Sequence, residues 1–156
     1  MPPATMVYTY DTLKVGERFV STGRTVTEAD HGAFLMLSGN WHPIHCDEEY
    51  AKTTPMGRRI APGPFGIMLA LGCLELNLMP CSDPLVAALG IREWKYKAPI
   101  FIGDTLHVEM EIADKRMTGK DDRYLVERLI RLINQHGKVV QEGRAVSMWQ
   151  RQPAAS

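Results

Sequence analysis

The chain has 156 residues, of which 45% are hydrophobic and 23% are charged, proportions that allow a folded protein with a sizeable core. Its 18 basic and 18 acidic residues give a formal net charge of +0, so no excess of positive charge is present to hold a nucleic-acid backbone. The N-terminus has no charged region followed by an apolar stretch, and the longest apolar segment, residues 64–79, contains Glu75 and Asn77 and is short for a bilayer span. We therefore expect a cytoplasmic protein with neither a nucleic-acid nor a membrane partner.

The first half of the chain predicts three helices. Thr27 is followed by acidic residues, as helix N-caps are, and the Ser-Gly pair at 38–39 predicts the end of that helix. Asp47 is expected to cap a short second helix. The third helix is predicted from Gly63 to Met79, because a proline in its first turn suits a helix start. Apolar residues lie nearly all around this helix, which predicts that it is buried.

The second half predicts strands. Apolar and polar residues alternate from Leu106 to Ile112, and residues 91–98, 124–133 and 139–149 indicate further extended segments. Segment 124–133 would also suit an amphipathic helix, but its length favours a strand. The element order predicts an α+β fold in which an antiparallel sheet wraps around one long buried central helix. Such a sheet has an exposed edge strand that a second copy would protect, so we expect a homodimer or a higher oligomer.

Two short features each have a structural and a chemical interpretation. Cys46, Cys73 and Cys81 form no CxxC pair and no zinc spacing, so we expect free thiols. Cys46 could be a nucleophile, but we favour a small, partly buried residue. The Arg pair at 58–59 could hold a phosphate, but we favour a solvated surface.

A rigid loop with two imidazoles follows the first helix. Trp41 and Pro43 stiffen the loop over residues 39–45, and it carries His42 and His45. Histidine titrates near neutral pH and can give or take a proton, so the loop is a candidate catalytic segment. Alternatively, both histidines are polar loop residues bonded to nearby carbonyls.

Two other chemistries fit the loop poorly. His42, His45 and Asp47 are a crude ligand set, but their spacing matches no zinc pattern, so we expect no metal. Ser38 lacks the Gly-x-Ser-x-Gly elbow of a serine hydrolase.

Residues 60–66 (IAPGPFG) form a glycine-rich entry into the third helix. Free amides at a helix start attract developing negative charge, such as the enolate oxygen of a thioester. Pro64 has no amide, so the candidate donors are Gly63, Phe65 and Gly66. The segment is also compatible with a tight packing turn alone.

Five stretches in this order resemble one family: TEAD at 27–30, SGNWHPIHCD at 38–47, YA at 50–51, IAPG at 60–63 and YKAPIFIGDTL at 96–106. They are similar to the MaoC-like dehydratases and (R)-specific enoyl-CoA hydratases, which have the hot-dog fold. The resemblance covers residues 10 to 150, approximately. It implies one MaoC-like hot-dog domain over residues 1–156, acting as a hydro-lyase on acyl-CoA or acyl-carrier-protein thioesters without a further cofactor. The implied reaction is the (R)-specific hydration of a trans-2-enoyl-CoA, or the reverse dehydration.

The resemblance also implies site residues. His45 matches the family's catalytic histidine and Gly63 its oxyanion glycine, while Asn40 stands where the family has an aspartate that acts with the histidine on water. Asparagine cannot accept a proton. His45 therefore does the acid–base work alone while Asn40 orients the water, or Asp47 or His42 substitutes, or the chain is a thioester-binding or partner subunit without activity.

The residues expected to bind the substrate flank these positions: Trp41, His42, Pro62, Phe65 and Gly66. Hot-dog thioesterases are the other enzyme class to consider, and they place a carboxylate on or near the central helix. Glu75 is the only carboxylate on that predicted helix, towards its C-terminal end. The His45 motif thus favours hydration over thioester cleavage.

Overall fold

The structure, a computed structural model, describes residues 7–74, 78–119 and 122–152. Its strands are β1 (Arg18–Val20), β2 (Arg24–Thr25), β3 (Leu85–Tyr96), β4 (Thr105–Met117), β5 (Arg123–Ile133) and β6 (Val139–Gln150). Its helices are α1 (Glu28–Ser38), α2 (Pro43–Cys46), α3 (Glu48–Lys52) and α4 (Gly63–Met68), and α4 continues directly into a π-helical segment over Leu69–Leu74. Within these ranges no helix is long and apolar enough to cross a membrane.

The strands form one antiparallel sheet in the order β1-β4-β5-β6-β3, with β2 also paired to β4. The strand prediction for residues 124–133 is confirmed. Tyr124, Val126, Ile130 and Leu132 are fully buried on one face of β5, which is the two-residue period of a strand and not the period of a helix. The α+β class and the antiparallel sheet around a helix are therefore confirmed.

The prediction for β3 was wrong at both ends, since residues 91–98 were expected and the strand runs from Leu85 to Tyr96. Its register against β6 shifts at three places along its length. Gly90 has φ 158° and Glu93 has φ 51°, a left-handed value for a non-glycine residue. These irregularities break the alternation from which a strand is predicted. The short strands β1 and β2 were not predicted, because two or three residues carry no periodic signal.

The central helix begins at Gly63, as predicted, but not all of the predicted length is helical. Leu78 and Met79 lie in a turn beyond the helix, and residues 75–77 fall outside the described residues. Phe65, Leu69 and Ala70 are at most 2% exposed, whereas Met68 is 42% exposed. The helix of this one chain is thus buried on the side that faces the sheet, because a single sheet covers only one side.

Helix α1 is fixed at both ends as predicted. The Thr27 side chain accepts from the Asp30 amide, and the Asp30 side chain accepts from the Thr27 amide, which is a capping box. Gly39 ends the helix with φ 66°, a conformation that glycine adopts without steric cost. Phe34 on α1 packs edge-on against Phe65 of α4, with ring centroids 5.6 Å apart. The loop after α1 is therefore anchored next to the start of the central helix.

Strand β3 leaves one sheet edge open within the described residues, since it pairs with β6 alone. Leu85, Leu89 and Ile91 on this strand are 46–56% exposed. A cavity of about 500 Å³ lies between β3, β6 and the far end of the central helix, and Leu71 is among its lining residues. A second copy of the chain could cover this open apolar edge, as the expected homodimer would, and the dimer itself stays a prediction.

Candidate active site

Two side chains of the predicted loop act as helix caps. The His42 Nδ1 accepts from the Ile44 amide at 3.2 Å and caps α2. The Asp47 carboxylate accepts from the Tyr50 amide at 3.0 Å and caps α3, as predicted. Pro43 occupies the first turn of α2, where its missing amide costs nothing. Together these features hold the four-residue helix α2 that carries His45.

The His45 ring has a defined tautomer. Its Nδ1 lies 2.8 Å from the carbonyl oxygen of Ile60, which can only accept, so Nδ1 carries the proton and Nε2 has a lone pair. Burial lowers the pKa of His45 below 6.5, and the nearby His31 and His42 lower it further, although the bond to Ile60 acts in the opposite direction. Neutral His45 can therefore accept a proton at neutral pH.

His31 is hydrogen-bonded to the backbone of His45. It lies on α1, is 1% exposed, and donates from Nε2 to the His45 carbonyl oxygen at 2.7 Å. The Ile60 amide donates to the Ile44 carbonyl at 3.3 Å. Two segments therefore fix the position of the His45 ring. The role of His31 was not predicted, although a histidine among the inward-facing positions of an amphipathic helix is a usable signal.

A cavity of about 350 Å³ contains both His45 and Gly63. The other lining residues come from the segment before α4, from the end of β3 and the loop after it, and from β6: Met56, Ile60, Ala61, Tyr96, Lys97, Ala98, Pro99, Ile100 and Gln141. The two residues that the sequence pattern placed together are thus brought together.

Gly63 has an available amide and a crowded Cα. Its amide donates to none of the described residues, whereas the Phe65 amide donates to the Pro62 carbonyl at 3.0 Å. Among the three candidate donors, Gly63 is therefore the one that both lines the cavity and has a free N–H. A Cβ atom on Gly63 would lie 2.6 Å from Cζ of the Tyr96 ring, so only glycine fits there without movement of Tyr96.

Gln141 is hydrogen-bonded to the backbone of Gly63. This residue of β6 is 2% exposed, and its Nε2 donates to the Gly63 carbonyl at 2.9 Å. Its Oε1 accepts from Trp94 Nε1 at 2.9 Å. A Cβ atom on Gly66 would overlap the Gln141 amide, so Gly66 makes room for this contact. The role of Gln141 was not predicted, because a lone glutamine in a strand gives no signal for it.

The remaining predicted site residues do not line this cavity: Asn40, Trp41, His42, Pro62, Phe65 and Gly66. Asn40 directly follows the left-handed Gly39, and its amide donates to the Ser38 hydroxyl at 3.3 Å. Trp41 is 55% exposed, while Phe65 is fully buried in the core.

No carboxylate bonds the His45 ring within the described ranges, and the same residues contain no group of three or more possible metal ligands. Glu75, the carboxylate of the thioesterase alternative, lies outside the described residues.

The expectation of a partly buried Cys46 was wrong, because Cys46 is exposed and its thiol donates to the Trp41 carbonyl at 3.4 Å. Helix α2 is only four residues long, and none of its residues is buried. Cys46 and Cys81 are free thiols, as predicted, and the Cys73 side chain lies outside the described part.

Comparison with known proteins agrees with this architecture. The family model described as MaoC like domain matches residues 10–132. An (R)-specific enoyl-CoA hydratase of Rhodospirillum rubrum is 30% identical over 145 residues, 92% of each chain. The crystal structure of a MaoC-like dehydratase from the same organism superposes with a TM-score of 0.83 at 28% identity, covering 94% of this chain and 99% of that one.

The fold has a further match at lower identity. A Mycobacterium tuberculosis protein described as having a double hotdog fold superposes with a TM-score of 0.80 at 19% identity, covering 96% of this chain and 46% of that one. The predicted hot-dog fold is thereby confirmed. With the family model matching well over half of its length, the chain belongs to the MaoC-like domain family.

Proposed function

We propose that this protein is a hydro-lyase that catalyses the (R)-specific hydration of a trans-2-enoyl-CoA, or the reverse dehydration. One observation carries the proposal: neutral His45, with its tautomer set by the Ile60 carbonyl, shares a cavity with the free amide of Gly63. A proton acceptor and an oxyanion donor facing one cavity are what this reaction needs. The similarity to an (R)-specific enoyl-CoA hydratase over 92% of the chain supports the same function.

In the proposed reaction, Nε2 of His45 takes a proton from water while the hydroxyl oxygen bonds to C3 of the enoyl group. The electron pair of the double bond moves towards the thioester, and the Gly63 amide stabilises the enolate oxygen that forms. The imidazolium then returns its proton to C2, so one water molecule is added in total. A single group that both takes and returns the proton works from one face, which agrees with a syn addition.

Asn40 stands where the family has its aspartate, but it does not line the cavity of His45 and Gly63 and cannot act as a base, so the proposed proton transfers depend on His45. The specific observation in favour of a second function is that, among the described residues, no carboxylate bonds the His45 ring. That second function is a thioester-binding or partner subunit without hydratase activity. The open, apolar edge of β3 supports a homodimer in both cases.

The test is a hydration assay with crotonyl-CoA and longer enoyl-CoAs on the wild type, His45→Ala and Asn40→Asp. His107→Gln serves as the matched control, because His107 lies on β4 and does not line the cavity. We expect wild-type turnover, a loss of about 10²–10⁴-fold in His45→Ala, the range of general acid–base contributions, and wild-type rates in the control.

The other outcomes separate the alternatives. Turnover only in Asn40→Asp would identify a degenerate hydratase. CoA thioester binding without turnover in any variant would favour the binding protein. Release of free CoA thiol without hydration would indicate a thioesterase.

A further inference from the structure

A second cavity lies directly beside the candidate active site. It has a volume of about 290 Å³ and shares the lining residues Ala98 and Pro99 with the cavity of His45. Its other walls are Arg58, the segment around Phe101, and the β5–β6 turn at 134–138. A substrate whose thioester occupies the first cavity therefore has a neighbouring space towards which the arm beyond the thioester can extend.

The carboxylate that lines this second cavity, that of Asp104, already accepts hydrogen bonds from neighbouring residues. The Asp104 carboxylate is 5% exposed and accepts from the Phe101 amide at 2.9 Å and from Gln135 Nε2 at 3.0 Å. The Gln135 Oε1 accepts from the Thr105 amide at 3.0 Å. Asp104 is the one acidic residue in the lining, and each of its two carboxylate oxygens accepts one of these hydrogen bonds.

Arg58 lines this cavity but forms no ion pair with Asp104, the acidic residue in the same lining. Its guanidinium carbon lies 4.0 Å from the centroid of the Phe101 ring, and no ion pair joins it to any described residue. The adjacent Arg59 differs, because it forms ion pairs with Glu28 and Glu48. Stacking on an aromatic face fixes the guanidinium plane and leaves its N–H edges available for a planar two-point contact with a phosphate.

Lys138 adds a second cation on an ordered turn. The Asn134 side chain accepts from the amides of His136 and Lys138 at 3.0 and 3.1 Å, which closes the turn. The Lys138 side chain is exposed, and within the described ranges it forms no ion pair. Arg58, Lys138 and His136 thus line a cavity that has a single acidic residue.

We propose that Arg58 and Lys138 form an anion site for a phosphate of the substrate's pantetheine-bearing arm. This inference rests on the proposed function, since it assumes that the acyl thioester lies beside His45 and Gly63. The ligand chemistry is a phosphate, and it has two sources in coenzyme A: the phosphate directly attached to pantetheine, and those of the nucleotide beyond it. Arg59 is held in ion pairs, and the exposed Arg58 is the member of the Arg pair at 58–59 to which this proposal assigns the phosphate.

The test is a binding measurement that needs no catalysis. Isothermal titration calorimetry compares CoA, 4′-phosphopantetheine and pantetheine on the wild type, on the double variant Arg58→Gln/Lys138→Gln, and on Arg123→Gln. Arg123 is a matched control, because it is an exposed cation at the opposite end of β5. We expect the double variant to bind CoA about tenfold more weakly, since two exposed charge contacts are lost, and to bind pantetheine as the wild type does. Added salt should weaken wild-type CoA binding more than binding to the double variant.

The three ligands identify the source of the phosphate. Equal losses for CoA and 4′-phosphopantetheine would assign the phosphate attached to pantetheine, and a loss for CoA alone would assign the nucleotide. Unchanged CoA affinity in the double variant overturns the proposal, and so does an equal loss in Arg123→Gln or for pantetheine. A wild type that binds CoA through these residues but hydrates no enoyl-CoA would contradict the proposed function and leave the anion site standing.

Discussion

Replacement of Gln141 by methionine tests how the structure positions Gly63. Methionine conserves the approximate volume but removes both hydrogen bonds, the one to the Gly63 carbonyl and the one from Trp94 Nε1. A lost hydrogen bond costs about 1 kcal/mol, and the partly buried indole N–H left without an acceptor adds up to about 1–3 kcal/mol. The sum is a destabilisation of about 2–4 kcal/mol, which in a domain of this size lowers Tm by about 4–16 °C.

The same change should affect catalysis through Gly63. Loss of one oxyanion donor typically costs about 10²–10³-fold in kcat, and a displaced donor costs part of that, so we expect kcat to fall about 10- to 100-fold with little change in KM. The assays are thermal unfolding and steady-state hydration of crotonyl-CoA. Trp94→Phe is the matched control, because it removes the indole bond and keeps the Gln141–Gly63 contact. A destabilised Gln141→Met variant with wild-type kcat would refute the positioning role.

Three further predictions concern the cavity and the core. Gly63→Ala should lower kcat/KM about 10- to 100-fold, because its Cβ would lie 2.6 Å from the Tyr96 ring. Tyr96→Ala in the same chain should restore part of the lost kcat/KM. A wild-type kcat/KM in Gly63→Ala would contradict this prediction. The acid limb of the kcat/KM profile should have its midpoint below 6.5, because burial lowers the pKa of His45 and protonation removes the base; a midpoint above 6.5 would exclude His45 as that group. Tyr124→Phe should destabilise the fold by about 1–3 kcal/mol in urea unfolding, because the buried Asp83 loses the hydroxyl that donates to it at 2.8 Å; an unchanged midpoint would show that the bond contributes nothing.

The sequence predicted those elements whose stabilising contacts join residues close together in the chain. The cap at Thr27, the left-handed end at Gly39 and the cap at Asp47 each involve residues within four positions of one another, so they are readable without tertiary contacts. The strand at 124–133 was also predictable, because one face of the sheet is buried and alternate residues of the strand are apolar.

The features that were missed depend on distant parts of the chain. Gln141 reaches Gly63 across 78 positions, and His31 reaches His45 across 14. Their roles exist only once the sheet has wrapped around the helix. The bulges of β3 removed its alternation, and the exposure of Cys46 follows from an α2 with no buried residues, which the sequence does not reveal.

The loop at 39–45 illustrates both cases. The pattern placed His45 and Gly63 together correctly, since both line one cavity. It grouped His42 with them, but the ring of His42 caps α2. A motif therefore locates the segment that carries the chemistry, while hydrogen bonds within the fold decide which side chain remains available for it.

The most direct test of the central claim is the configuration of the product that the wild-type protein forms from crotonyl-CoA, determined by chiral chromatography alongside His45→Ala. We predict (R)-3-hydroxybutyryl-CoA from the wild type and a loss of about 10²–10⁴-fold in its rate of formation in the variant. The (S)-product, the absence of any hydration, or an equal rate in His45→Ala would contradict a hydratase that works through His45.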